Sequence, residues 1–180
     1  MRRSALVLIA LVAAGCEAAP DVAGPAAGAA RFAAVPGYLP SATGHADIDV
    51  ALGAQPLSQS YSFNAERVGK EQIVHGEWSL RQQLGGQPAS LQGRVTCFVA
   101  IDSMARIAGV IVRSDNPTYQ RGQHVVWKVV DSGEGANDPR DLASPMLPSS
   151  DPDAFCGGGD PAMTEINTGN IQVHGIEAQT

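Results

Sequence analysis

The chain is predicted to fold as an all-β domain, an antiparallel meander closing into a small barrel or a strongly coiled sheet. Three observations carry this. Apolar residues recur at every second position in one segment after another. The segments are parted by glycine, proline, asparagine and aspartate at turn-forming places. No stretch shows a sustained helical period with caps. The fullest case is VVWKVV, where Val125, Trp127 and Val129 alternate with Val126, Lys128 and Val130, a β-branched and aromatic mixture suited to a pleated, buried surface.

Taken in order, residues 1–15 read as a targeting segment: Arg2 and Arg3 form a basic head, an apolar run follows, and small residues precede Cys16. The run is too short to span a bilayer. Its Ala13-Ala14-Gly15-Cys16 end resembles a bacterial lipoprotein signal, which implies cleavage before Cys16 and its acylation, palmitate included. The family prefers leucine where Ala13 stands, and ordinary signal cleavage near Ala18-Ala19-Pro20 with full secretion is the alternative. The same resemblance implies that Glu17, in place of aspartate, allows transfer to an outer membrane. Residues 16–43 are mostly alanine, glycine, proline and valine without period, interrupted by Arg31-Phe32 and Tyr38-Leu39, and read as a flexible tether, because they offer too little apolar surface to offset ordering. Residues 44–180 then make one domain of ordinary size.

Within that domain Ile48, Val50 and Leu52 alternate with Asp47, Asp49 and Ala51, and Tyr61, Phe63 and Ala65 with Ser60, Ser62 and Asn64. Val74, Gly76, Trp78 and Leu80 face one way, His75, Glu77, Ser79 and Arg81 the other, as in a strand with one wet side. After Gly85-Gly86, Leu91, Gly93, Val95, Cys97, Val99 and Ile101 line the inner face of the next strand. Asp102-Ser103 makes a short hairpin, and Ile107, Gly109 and Ile111 return. Glycines at 76, 93 and 109 suit a tightly coiling sheet. A helical turn is allowed at residues 141–143. Residues 142–167 are irregular and proline-rich, and residues 169–174 form a last strand.

Removing residues 1–15 deletes two of 12 basic and none of 18 acidic residues, leaving a net charge of −8. With no basic stripe or aromatic platform, this excludes nucleic acid as a partner; the expected partner is the membrane, through the lipid anchor. If Cys16 is lipidated, Cys97 and Cys156 remain for each other in an oxidising compartment, with a metal site or free thiols as the alternatives.

The acidic stretch 131–141, DSGEGANDPRD, is the most site-like feature. Asp131, Glu134, Asn137, Asp138 and Asp141 are candidate calcium ligands, since hard cations take several oxygens, though the EF-hand spacing is missing. The bland reading has these side chains satisfying their own backbone amides. Gly133 and Gly135 form a GxG, but Pro139 forbids the helix a phosphate loop needs. Gly76-Glu77-Trp78 matches the GxW element of lipocalins, without their other motifs, and allows a small apolar-ligand carrier. His75, His124 and His174 lie on or beside strands; with the acidic loop they are the only basis for a hydrolase-like enzyme, since no GxSxG or HExxH occurs.

The segments SFNA (62–65), GRVTC (93–97), the DSGEGANDPRD loop and GNIQVH (169–174) together resemble a group of secreted bacterial all-β proteins of no known activity. Their loop reads EGANDPPDQIS, from which Arg140 departs. The expectation is therefore a non-catalytic exported envelope lipoprotein, at the outer membrane or periplasmic face, with the carrier and the enzyme as rivals.

Overall fold

Residues 39–135 and 137–177 are described in the computed structural model; the expected signal, Cys16 and most of the expected tether lie outside them. The alternating segments form β1 (Ser41–Leu52), β2 (Gln55–Val68), β3 (Ile73–Leu84), β4 (Gln87–Ile101), β5 (Met104–Ser114) and β6 (His124–Val130). Short elements follow: β7 (Leu142–Ala143), β8 (Leu147–Ser149), helix α1 (Pro152–Gly158), β9 (Thr164–Glu165) and β10 (Thr168–His174). The first strand thus begins at Ser41, just ahead of the expected domain start. Tight turns set the order: Gly53, the Gly85-Gly86 pair and Asp102 all have positive φ, which brings antiparallel neighbours back with the right twist.

The sheet is an antiparallel meander in the order β10-β1-β2-β3-β4-β5-β6-β7-β9, with β8 also on β6. It does not close. β10 is one edge and the two-residue β9 the other, so the barrel alternative is corrected to an open, coiled sheet. Between β6 and β10 the proline-rich passage offers only fragments of ladder, because Pro145, Pro148 and Pro161 have no N–H to donate.

Inside the coil Tyr61, Phe63, Trp78 and Trp127 are buried, with Trp127 edge-on to Phe63 and to Trp78 at centroid distances of 6.0 and 6.2 Å. Trp78 lies across two of the strand glycines. A Cβ on Gly93 would sit 2.2 Å from its Cζ2, and one on Gly109 2.2 Å from its Nε1. Those glycines are therefore floor for the indole.

One face assignment is overturned. Register shifts at Gln92/Gly93 and Val95/Cys97 interrupt the β4–β5 pairing, and the bulge reverses the alternation beyond it. Phe98 and Ala100 enter the core, whereas Cys97 and Val99 turn outward. There they join Ala108, Val126, Phe155 and Cys156 in a second apolar cluster under α1. Cys97 and Cys156 are disulfide-bonded, with Cα atoms 6.4 Å apart.

The helix stands where none was expected, and residues 141–143 lead into β7. Its start carries ordinary signals: the Asp151 side chain accepts from Ala154 N at 2.9 Å, and proline occupies the first turn. Beyond it, Arg106 Nε donates to Gly159 O at 2.7 Å and Lys128 Nζ to Asp160 at 2.5 Å.

Both ends of the core are plugged by polar side chains. At one end the buried Gln59 amide donates to Met146 O at 2.9 Å and accepts from Met146 N at 2.8 Å, as a ladder rung would. Gln59 also donates to Gln82, and Tyr61 donates to Ser144 O. Burial pushes the Tyr61 phenol well above its ordinary value. At the other end Arg67 donates twice to Phe98 O and once to Gln72 O.

Candidate functional site

The acidic stretch leaves β6 and returns as β7 beside β10. Asp141, 5% exposed, accepts Ser132 N at 2.9 Å on Oδ1 and Ile171 N at 2.8 Å on Oδ2. Asp131 accepts Gly133 N at 2.9 Å and Val173 N at 3.0 Å. Asp138 accepts Gly135 N at 2.6 Å, and Glu134 accepts Gln172 Nε2 at 2.5 Å and Asn170 Nδ2 at 3.4 Å. Gly175 N, next along the same edge, donates to Asp102 O at 3.1 Å.

The outward N–H groups of β10 at Ile171 and Val173 thus meet carboxylates where a closed barrel would supply carbonyls. An unpaired edge invites association, and these aspartates cover it. The same geometry answers the calcium question. A calcium ion needs about six to eight oxygens turned towards one point, but here N–H donors stand against the oxygens. Among the described residues no three His, Cys, Asp or Glu side chains gather as for a metal. The donor set does not fit calcium.

A second feature, on the outer face of β1 to β4, was not singled out in the sequence. Side chains there fall in register rows: His45 opposite Ser62, Ser62 opposite Ser79, Ser79 opposite Gln92; beside them, Asp47, Ser60, Arg81 and Ser90. Short serines in the middle strands, with longer side chains around them, leave an open cavity of about 620 Å³ reaching Asn64, Glu77 and Arg94. It shares Ser62, Ser79 and Gln92 with a neighbouring cavity of about 320 Å³. That one shares Ser60 and Arg81 with a third of about 350 Å³ reaching Asp49 and Pro88. Together they form one trough of mixed lining, in which serine, amide and charged side chains are joined by the exposed Val112. The signal that would have found it is the run of outward serines at 58, 60 and 62.

The histidines do not converge on the acidic loop. His75 is exposed opposite Glu66, His174 opposite Ser41, and His124 opposite Val110 and Ser149. None bonds to a carboxylate of residues 131–141 among the described residues. His45, which had drawn no attention, does have polar partners: Nδ1 lies 3.0 Å from Ser62 Oγ and Nε2 3.3 Å from Asp47 Oδ1. The composition is that of a nucleophile, a base and an orienting acid. No main-chain donor is left for an oxyanion, because Ser62 lies mid-strand with ladder partners on both sides, and acyl transfer draws heavily on such donors. We therefore read it as a cross-strand hydrogen-bond row in the trough floor.

Fold and surface together define an open antiparallel sheet with an aromatic core and an outer trough, a class that describes an architecture and not an activity. Compared with protein families, curated proteins and solved structures, the chain has no match.

Proposed function

We propose that this is an exported, non-catalytic envelope protein, tethered by lipid at Cys16, that binds a hydrophilic ligand in the trough on the outer face of β1 to β4. The observation that carries the reading is the contrast between the two faces. The inner face is filled by aromatic side chains and plugged at both ends, which argues against an apolar-ligand carrier. The outer face offers hydroxyl, amide and charged groups around open space. Against the enzyme stand the separation of the histidines from the acidic loop and the absence of oxyanion donors at Ser62. The basic head, apolar run and Cys16 support export and anchoring, as does the resemblance to secreted bacterial proteins.

Two experiments test it. The full chain with Cys16→Ser should leave the membrane fraction, since stable anchoring needs the acyl chains; unchanged membrane partition would contradict the anchor. The same unlipidated chain should sediment with insoluble cell-envelope material of its source, and a Ser62→Arg/Ser79→Arg variant, which fills the trough, should stay in the supernatant. Equal behaviour of the two proteins would overturn the binding reading.

A further inference from the structure

We infer that the ligand of the trough is an acidic glycan, a hydroxyl-rich chain bearing carboxylates. This rests on the binding reading above and goes on to name the chemical class.

The first argument is shape. The three cavities share lining residues in sequence, from Arg94 and Glu77 through Ser62 and Ser79 to Asp49 and Pro88. The rows concerned run along β1 from Thr43 to Asp49, roughly 20 Å at the usual strand rise. That suits several units of an extended polymer better than one small molecule. The second argument is functional-group chemistry. Ser79 and Ser90 give hydroxyls that both donate and accept, Ser60 and Ser62, already bonded to Asp47 and His45, keep acceptor capacity, and Gln92 and Asn64 give amides with both capabilities. Sugar hydroxyls have the same dual character. A peptide crossing the face would find Val112 at the rim as an apolar contact but not the buried aromatic pocket where protein ligands gain most of their affinity, and no ladder partners, because β1 to β4 are paired on both sides.

The third argument is charge. Arg81 and Arg94 are exposed and border the trough, and their guanidinium groups make no hydrogen bond or ion pair among the described residues. Glu77 stands directly opposite Arg94 in register without bonding to it. Two guanidinium forks with their donors unspent match carboxylates in bidentate fashion. Asp47 and Asp49, at the other end, oppose a uniformly dense polyanion and favour spaced carboxylates on a mostly neutral chain.

The test uses the purified full chain at physiological salt with three probes: hyaluronate, a glycan with a carboxylate on every second sugar; dextran, a neutral glycan; and polyglutamate, a carboxylated chain without sugar hydroxyls. Affinity is measured by titration calorimetry for wild type, for Arg81→Gln/Arg94→Gln, and for Ser79→Glu, with melting curves to show that each variant is folded. The expected result is binding to hyaluronate alone, weakened about tenfold or more by the arginine pair, as loss of charge-assisted hydrogen bonds implies, and abolished by Ser79→Glu. Equal binding of polyglutamate would reduce the effect to charge and overturn the inference. So would equal binding of dextran, indifference to the variants, or no binding of hyaluronate. The envelope sedimentation assay separates the two levels: if trough-dependent sedimentation persists while hyaluronate fails, the glycan class falls and the binding reading stands.

Discussion

At Asp141 each carboxylate oxygen receives a main-chain N–H, from Ser132 and from Ile171. Asparagine would turn an NH₂ towards one of those donors and leave a buried N–H unpaired, so Asp141→Asn is expected to cost about 1–3 kcal/mol, read from urea unfolding. Glu134 and Asp138 lie in an exposed part of the same loop, and changing them together to Gln and Asn should cost less than about 1 kcal/mol. Millimolar calcium should leave the melting temperature of all these proteins unchanged; a calcium-dependent rise lost in the double variant would show a bound ion. The composition of this loop was plain in the sequence, and so was its service to its own amides at Ser132, Gly133 and Gly135, but the N–H groups it also serves in β10 lie some thirty residues on, and only the fold brings them together. Gln59 carries a signal of its own in the sequence. It occupies the same alternation phase as Leu57, Tyr61 and Phe63, and an amide in an inward phase is a sign that a piece of irregular backbone must pass nearby.

For the elements, the alternation that located the six long strands also misled once, in β4. Leu91 to Ile101 reads as one uninterrupted period, yet the bulge beyond Val95 reverses it, and no residue in GRVTC announces an extra position. The disulfide depends on that reversal, because Cys97 reaches Cys156 only from the outer face. The sequence separation is 59, and the chain-entropy model gives roughly 4 kcal/mol for closing such a loop. Cys97→Ser/Cys156→Ser should therefore melt well below wild type, and the native protein should resist thiol labelling at both positions until reduced. At the β1–β10 edge, hydrogen bonds from the Ser60 hydroxyl first, then from Thr168, with a smaller contribution from His45, hold the Asp47 carboxyl below the usual carboxylate range. A depressed pKa stabilises the fold above the ordinary carboxylate value and loses that contribution as pH falls through the lower folded value. Asp47→Asn should melt below wild type at neutral pH, and the gap should close in acid, once the pH has fallen below the ordinary carboxylate range and through the lower folded value. A gap that persists into strong acid would place its origin elsewhere.

For the whole molecule, a coiled sheet could be read from the period, the turn residues and the strand glycines, but closure could not. Whether the last strand meets β6 depends on the proline-rich passage between them, where period carries no information. The outcome, an open sheet whose seam is bridged by carboxylate side chains and by a few main-chain bonds at Gly175 and Ile176, bears directly on what the interior can hold. An apolar-ligand carrier needs empty space lined by side chains that can stay apart; here Trp78 rests on Gly93 and Gly109, Trp127 fills the space against it, and Gln59 and Arg67 cross the two ends. Admitting a ligand would mean displacing an indole and breaking main-chain hydrogen bonds. The native protein is therefore expected to show no saturable quenching of tryptophan fluorescence by long-chain fatty acids or apolar dyes. A Gln59→Ala variant provides the control, because it deletes the rung to Met146 and opens one end: dye binding there, with none in wild type, would show that the interior is apolar and that its plugs keep ligands out. Saturable stoichiometric binding to wild type would contradict the solid core and restore the carrier.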